Sequence, residues 1–570
     1  MDTKHGYISY SFRHLRSAFH SFIYSFNMTF IKCCYSVILV TFLFGCQTEE
    51  GPKPPNILFA ISDDQSYAHT SFAGCTFIET PAFDRIAREG IYFTNCYSGS
   101  PGCAPSRSAI VTGRHHWQNE QSGQHQSSWL KKYVPFIDAL DQNGYITGRT
   151  GKGVAPFQYA RSEKDSLWRK TDAAGIEHSK IRYEEGDDEQ PIATGINRLN
   201  YFENFKYFMD SVREDRPFFF WYGGTEPHRA FEQGSWKRVG KKLEDVVVPE
   251  FLPDSEVVRG DLLDYAVEIE WFDMHLQRML EYLEAKGELD NTIVIVTSDN
   301  GMAFPRAKAN GYEYGVHVPM AIRYPEGFPG SRVVEDPIGF ADLAPTILEV
   351  TKSASGDMMP ISGRSFLKVL QSKEGGQVDP ERKYAFSGRE RHSSSRYMNW
   401  CYPQKIISDG NYVFTWNVKP ERWPAGAPQK FDPKDTTTLL PMYGLDDKGN
   451  YISDAAFMDI DDCPTKTYII ENYKDPEVKP FFKLAHGKRP EFEFFDVNKD
   501  PFCLNNLAGN PEYADIEDEL KTRLMAELTQ SKDPRVTGPD PDIFESYIRY
   551  SRIRKFPKPD QMEGTLLFDK

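Results

Sequence analysis

Up to about residue 350 the chain alternates between short apolar runs that stop abruptly at polar residues and longer stretches of helical period. Asn56-Ile57-Leu58-Phe59-Ala60-Ile61, Ile91-Tyr92-Phe93, Phe218-Phe219-Phe220-Trp221-Tyr222 and Thr292-Ile293-Val294-Ile295-Val296-Thr297 are too short for helices. They are also too uniformly apolar for strands wet on one face, so they predict strands buried on both faces of a parallel sheet. Gly144-Tyr145-Ile146-Thr147-Gly148-Arg149-Thr150 adds another. Between these runs, Thr80-Pro81 opens a helix through Arg88 that Gly90 closes. Tyr265, Ile269, Phe272, Leu276, Met279 and Leu283 step by four and three, which predicts an amphipathic helix over residues 261–286 covering the sheet. The alternation predicts an α/β domain over residues 56–380, with a mostly parallel sheet flanked by helices. Beyond it the pattern changes. Tyr384-Ala385-Phe386, Lys405-Ile406-Ile407, Tyr412-Val413-Phe414-Thr415-Trp416 and Phe492-Glu493-Phe494-Phe495-Asp496 predict a smaller antiparallel α+β subdomain over residues 381–570, with a helix near 511–530.

Composition narrows the partners. The formal net charge of −15 over 570 residues repels polyanions in general and excludes non-specific nucleic-acid binding; an anionic ligand would need local attraction. The nine cysteines contain no C-x-x-C pair and are too sparse for a disulfide framework. Residues 1–46 read as an address. Lys32 precedes an apolar run of about ten residues from Tyr35 to Phe44, the size of a signal-peptide core and too short to span a bilayer comfortably. The run ends in Leu43-Phe44-Gly45-Cys46, which resembles a lipobox, and Gln47-Thr48-Glu49-Glu50 resembles the acidic tag of surface-exposed bacterial lipoproteins. The expectation is lipidation of Cys46, a membrane anchor through that lipid, and a stiff tether over residues 47–55. This places the protein at the cell surface as an outer-membrane lipoprotein, or in the periplasm if the tag is not an export signal. A cleaved secretory signal and an uncleaved anchor are the alternatives, and translation could start at Met1 or Met28.

The polar residues at the ends of the apolar runs carry the candidate chemistry. Asp63 and Asp64 follow the first strand, and Asp299 and Asn300 follow the strand at 292–297. In open α/β sheets ligands bind at that edge. Adjacent aspartates repel unless a cation sits between them, and hard oxygen donors without thiolate suit Ca²⁺ or Mg²⁺ better than zinc. The plainer reading of such a pair is a solvated turn. Lys152 and His228 also stand just past predicted strands, where a loop lysine and a structural histidine are the plainer readings. Cys103, two residues before Pro105, falls at a predicted helix N-terminus, where free amides and the helix dipole favour an anion; Arg107 lies one turn on.

Cys103-Ala104-Pro105-Ser106-Arg107, continuing to Thr112-Gly113-Arg114, resembles the maturation signature of type I sulfatases, whose cysteine is oxidised to formylglycine (3-oxoalanine). Lys152 in Gly151-Lys152, His228 in Pro227-His228, and the stretch from Lys308 through Tyr312-Glu313-Tyr314-Gly315 to Val318-Pro319 match other family segments. Two positions depart from the pattern: Val154 replaces a usual histidine, and His317 a usual arginine. The resemblance implies an alkaline-phosphatase-like fold, one Ca²⁺ held by Asp63, Asp64, residue 103, Asp299 and Asn300, and maturation by a formylglycine-generating enzyme. It further implies a hydrated formylglycine at 103 as the nucleophile, held by Arg107. Lys152 and Lys308 neutralise the sulfuryl oxygens, His228 is the general acid for the leaving oxygen, and His317 contacts substrate. Within the family, Glu226-Pro227-His228-Arg229, Ser298 to Pro305, Gly388-Arg389-Glu390-Arg391-His392 and Lys419 to Gly426 are most similar to the branch containing heparan N-sulfatase and bacterial polysaccharide sulfatases. Arg389, Arg391 and His392 form a basic cluster able to read a uronate or a second sulfate.

The function expected is hydrolysis of sulfate esters on a sulfated polysaccharide or its oligosaccharides, leaning to algal cell-wall polymers such as ulvan. The alternatives are N-sulfamidase action on heparan-type glycans, phosphoester hydrolysis on the same fold, and a non-catalytic glycan-binding lipoprotein.

Overall fold

A central sheet of seven strands carries the site, and its order explains which loops meet. The computed structural model describes residues 53–160, 166–187 and 189–562; the segment expected to be a signal, residues 1–46 with Cys46, lies outside them. In chain order the sheet comprises β1 (Asn56–Ser62), β2 (Ile91–Phe93), β3 (Ile146–Gly151), β4 (Phe218–Gly223), β5 (Thr292–Ser298), β6 (Met320–Arg323) and β7 (Arg332–Val334). Across the sheet they run β7-β2-β6-β5-β1-β4-β3. All are parallel except β6, which is antiparallel to both neighbours. β1 is central, with Ile57 opposite Phe219 on one side and Ile293 on the other.

Every residue of β1 is buried, as a strand covered on both faces requires. Side chains alternate between the two faces. Ile57, Phe59, Phe219, Trp221, Ile293 and Ile295 pack on one side with Ile110 and Val111 of α2 (Cys103–Thr112) and Leu343 and Ile347 of α5 (Leu343–Val350). Leu58, Ala60, Phe218, Phe220 and Val294 pack on the other. There they meet Ile86 of α1 (Pro81–Glu89), Phe205 of α3 (Tyr201–Ser211), and Phe272, Leu276, Met279 and Leu283 of α4 (Glu256–Ala285). The helix predicted over 261–286 thus begins earlier, because Ser255 caps it, its Oγ accepting from the Val258 amide at 3.3 Å.

The C-terminal part contains a four-stranded antiparallel sheet: β8 (Ala385–Arg389), β9 (Gln404–Ser408), β10 (Tyr412–Asn417) and β11 (Phe492–Asp496), in that order. Leu520, Leu524 and Leu528 of α6 (Ala514–Gln530) pack on it against Ile407, Phe414 and Phe494. The connection between β10 and β11 leaves this sheet. Its Ile469, Ile470 and Phe482 pack against Leu262, Leu263 and Ile269 of α4. That excursion brings a C-terminal loop to the edge of the larger sheet, and the described residues from Pro54 onward form one compact unit. Among the described residues no helix is long and apolar enough to cross a membrane.

Candidate active site

The loops after β1, β3, β4 and β5 converge on the first turn of α2. Backbone bonds stitch them together: the Asp299 amide donates to Ser62 O at 3.2 Å, and the Asp63 amide to Glu226 O at 3.0 Å. α2 is buried along its whole length. It stops at Gly113, whose φ of 63° lies in the left-handed region and whose amide donates to Ala109 O at 3.0 Å, so the glycine of Thr112-Gly113-Arg114 ends the helix. Gly301 has a steric reason instead: a Cβ there would lie 1.8 Å from Tyr314 O.

Cys103 is the first residue of α2 and is 1 % exposed. Its Sγ, a carboxylate oxygen of Asp63 and one of Asp299 all lie within 4.8 Å of one another. Burial pushes the thiol above its ordinary range, and Lys152 only partly counters this. Desolvation thus works against a thiolate at this helix N-terminus. Arg107, one turn on, is fully buried. Its Nε donates to Asp299 Oδ2 at 2.6 Å, and its Nη1 to Lys152 O and Gly153 O, both at 3.1 Å.

Two lysines balance the two aspartates after β1. Lys152 pairs with Asp63, and Lys308 Nζ lies 2.6 Å from Asp64 Oδ2 and 3.0 Å from Asp461 Oδ2. Burial raises the Asp63 carboxyl, but Lys152 and His228 more than offset it, and the net direction is down. Desolvation opposes the charge on Lys308, yet Asp461 and Asp64 hold it well above the usual lysine range. His228 donates from Nδ1 to Arg229 O at 2.6 Å, which leaves Nε2 facing the cluster, 3.8 Å from Asp64 Oδ2. Asn300 Nδ2 donates to Asp64 Oδ1 at 2.7 Å.

The residues fit a hard divalent cation. Asp63 Oδ1 and Asn300 Oδ1 are buried without a hydrogen-bond partner among the described residues, as oxygens reserved for a metal would be. The donor set is oxygen-rich, as Ca²⁺ prefers. Four buried or half-buried carboxylates, of Asp63, Asp64, Asp299 and Asp461, face the three cations Arg107, Lys152 and Lys308. A divalent ion would turn that excess of negative charge into a positive field for an anion.

Nine of the residues expected from sequence thus meet: Asp63, Asp64, Cys103, Arg107, Lys152, His228, Asp299, Asn300 and Lys308. His392 stands against the turn before Cys103, its Nδ1 3.0 Å from where a Cβ on Gly102 would be; burial lowers its imidazole to about 4, so it is neutral. Arg389 needs correction as a substrate contact. It is 2 % exposed, pairs with Asp459, and donates to Pro424 O at 3.0 Å and to Ala309 O. Arg391 is likewise buried, donating to Tyr547 O and Ser127 Oγ. His317 is corrected too. Its Nδ1 lies 2.7 Å from Glu313 Oε2, its Nε2 2.7 Å from Thr94 O, and its ring stacks on Tyr67 at 4.0 Å, so neither nitrogen is available to a ligand. Asp461 was not foreseen, since it sits in the acid-rich run Asp459-Ile460-Asp461-Asp462 with nothing to tell it from a solvated loop. His125, stacked on His392 at 5.2 Å, had no signal either.

The family model described as Sulfatase matches residues 55–353. An ulvan-active sulfatase of Formosa agariphila is 24% identical over 511 residues, covering 87% of this chain and 77% of that one. The N-sulphoglucosamine sulphohydrolase of Homo sapiens is 25% identical over 552 residues, covering 90% and 96%. Among solved structures, one in complex with its substrate D-glucosamine-2-N,6-O-disulfate aligns with a TM-score of 0.56 at 19% identity, covering 86% of this chain and 99% of that one. A phosphonate monoester hydrolase of Silicibacter pomeroyi aligns equally well, at 0.56 and 16% identity over 84% and 96%. These two likenesses speak for the fold alone.

Proposed function

The chain belongs to the sulfatase family and is a sulfuric ester hydrolase, and we propose that it removes sulfate esters from a polysaccharide or its oligosaccharides through a formylglycine made from Cys103 and a bound Ca²⁺. The observation that carries this reading is the meeting of Cys103 with carboxylate oxygens of Asp63 and Asp299 within 4.8 Å. A buried thiol is a poor ligand for a hard ion and a poor nucleophile, and both mismatches vanish if residue 103 carries oxygen. Formylglycine supplies, as its hydrate, an oxygen nucleophile suited to sulfur. Asp63, Asp64, Asp299 and Asn300 would hold the ion, and Arg107 fixes Asp299 and the loop at Lys152 around it. Lys152 and Lys308 are placed to stabilise charge on sulfuryl oxygens, and His228 presents Nε2 for protonation of the leaving oxygen.

Ulvan-type polymers are the substrate we favour, supported by the names of several relatives, with a formylglycine-generating enzyme as the maturation partner and a lipid on Cys46 as the outer-membrane anchor. N-sulfamidase action is the second reading, supported by the similarity to the human N-sulphoglucosamine sulphohydrolase along 96% of its length. Sulfate release should be measured on defined ulvan oligosaccharides and on N-sulfated glucosamine, with Cys103→Ala as control. Release from the O-sulfated set alone supports the first reading and release from the N-sulfated sugar the second. Mass spectrometry of the peptide containing residue 103, purified from the native host, tests maturation; unmodified cysteine throughout would sink the formylglycine proposal.

A further inference from the structure

A cavity of about 330 Å³ opens over the acidic cluster, lined in part by Asp63, Lys152, Asn197, Thr225, His228 and Glu268. Most of these side chains are committed. Glu226 beside them receives the Asn197 amide and the Tyr201 hydroxyl, each at 2.8 Å. Arg229, whose charge acts on Glu268, is tied to Asp261 by contacts of 2.7 and 2.8 Å. Glu268 differs. It projects from the middle of α4, is 1 % exposed, and makes neither a hydrogen bond nor an ion pair among the described residues; its Oε1 is buried and unpartnered. Gly195 faces this oxygen, which lies 3.1 Å from where a Cβ on that glycine would be, so the glycine leaves space beside the carboxyl. Burial, with Glu226 and Asp264 nearby and only Arg229 opposing, pushes the carboxyl well above the usual range. A neutral carboxyl both donates and accepts. Leaving such a group unpaired is costly, and an orphan of this kind in a ligand cavity points to the ligand.

We propose that Glu268 is a specificity-determining residue that hydrogen-bonds a free hydroxyl of the sugar from which sulfate is removed. The proposal rests on the sulfatase reading. With the sulfate held at Lys152 and Lys308, the ring occupies the cavity and turns its neighbouring hydroxyl towards α4. A hydroxyl that carries a second sulfate has no proton to donate to Glu268, so the site favours a ring left unsubstituted on this side.

The test compares kcat/KM for a sulfated oligosaccharide that the wild type cleaves with kcat/KM for 4-nitrophenyl sulfate, which has no sugar hydroxyl. In Glu268→Met the ratio should fall about tenfold or more, chiefly through KM for the oligosaccharide. In Glu268→Gln, which keeps a donor and an acceptor, it should stay within about threefold. The melting temperature of Glu268→Met should not drop, because the substitution removes an unsatisfied buried group. An unaltered ratio in Glu268→Met, or equal losses on both substrates, would overturn the assignment while leaving the sulfatase reading intact. Absence of sulfate release by the wild type from every probe would overturn that reading and this inference with it.

Discussion

Arg107 and Asp299 meet as a fully buried pair, Nε to Oδ2 at 2.6 Å, although 192 residues separate them in the chain. Arg107 lies one turn into α2 and Asp299 just past the end of β5, so the pair welds the helix that starts at Cys103 to the loop after β5. Removing one partner leaves the other charge buried and alone. Arg107→Ala should lower the free energy of unfolding by about 3–5 kcal/mol and abolish sulfate release. Urea denaturation checks the first, and a loss under 1 kcal/mol by the same measure would show the pair to be dispensable.

The proposed general-acid role of His228 makes a prediction of its own. Its Nδ1 is anchored on Arg229 O at 2.6 Å, leaving Nε2 free to turn to the leaving oxygen. His228→Gln should cut kcat on sugar sulfates by about 10²–10⁴. It should cost far less on 4-nitrophenyl sulfate, whose leaving group needs little protonation. Equal losses on both substrates would remove the general-acid role.

Calcium removal should destabilise as well as inactivate. With free Ca²⁺ at about a hundred times its dissociation constant, binding contributes about 3 kcal/mol, so excess chelator should lower the melting temperature and added Ca²⁺ restore it. Asp63→Asn, which replaces a negative carboxylate by a neutral amide, should weaken calorimetric Ca²⁺ affinity. An identical melting curve with and without chelator would contradict the assignment.

Acid should loosen the C-terminal part through Glu390. This buried carboxylate lies 2.6 Å from Arg535 and 3.0 Å from Lys405. Burial raises its pKa, but these cations pull it from 4.5 down to about 2. Because the folded value lies below the unfolded one, the unfolded chain binds the extra proton between them, and stability falls as pH drops through that window. The contribution, about 3 kcal/mol at neutral pH, is fully present only above the unfolded value. Glu390→Gln should be about 3–5 kcal/mol less stable than wild type at pH 7, and the gap should narrow as the pH approaches 3 in urea titrations. A gap independent of pH would refute it.

Asp63, Asp64, Asp299 and Asn300 are legible without coordinates because a strand buried on both faces must shed its polar residues at its end, and parallel order lines those ends up on one edge. Cys103, Arg107, Lys152, Lys308 and His228 stand out through their resemblance to the family's segments, while the apolar runs mark the central sheet and the later antiparallel one. Partners that arrive from far along the chain are not legible. Arg389 reads as a free cation until Asp459 closes on it, and His317 as a ligand until Glu313 and Thr94 O take both nitrogens. Glu268 hides on a helix whose apolar stripe announces only that it covers the sheet, because one carboxylate among many on such a helix carries no period of its own.

Lys308 reaches Asp461 as well as Asp64, and this contact has a practical meaning for engineering. Transplanting the C-terminal part of a relative would exchange one of the two counterions of Lys308. Chimeras joined near residue 380 therefore need an aspartate grafted back at 461. The last residue of the family match, 353, marks where the recognisable pattern stops and not where a transferable module ends.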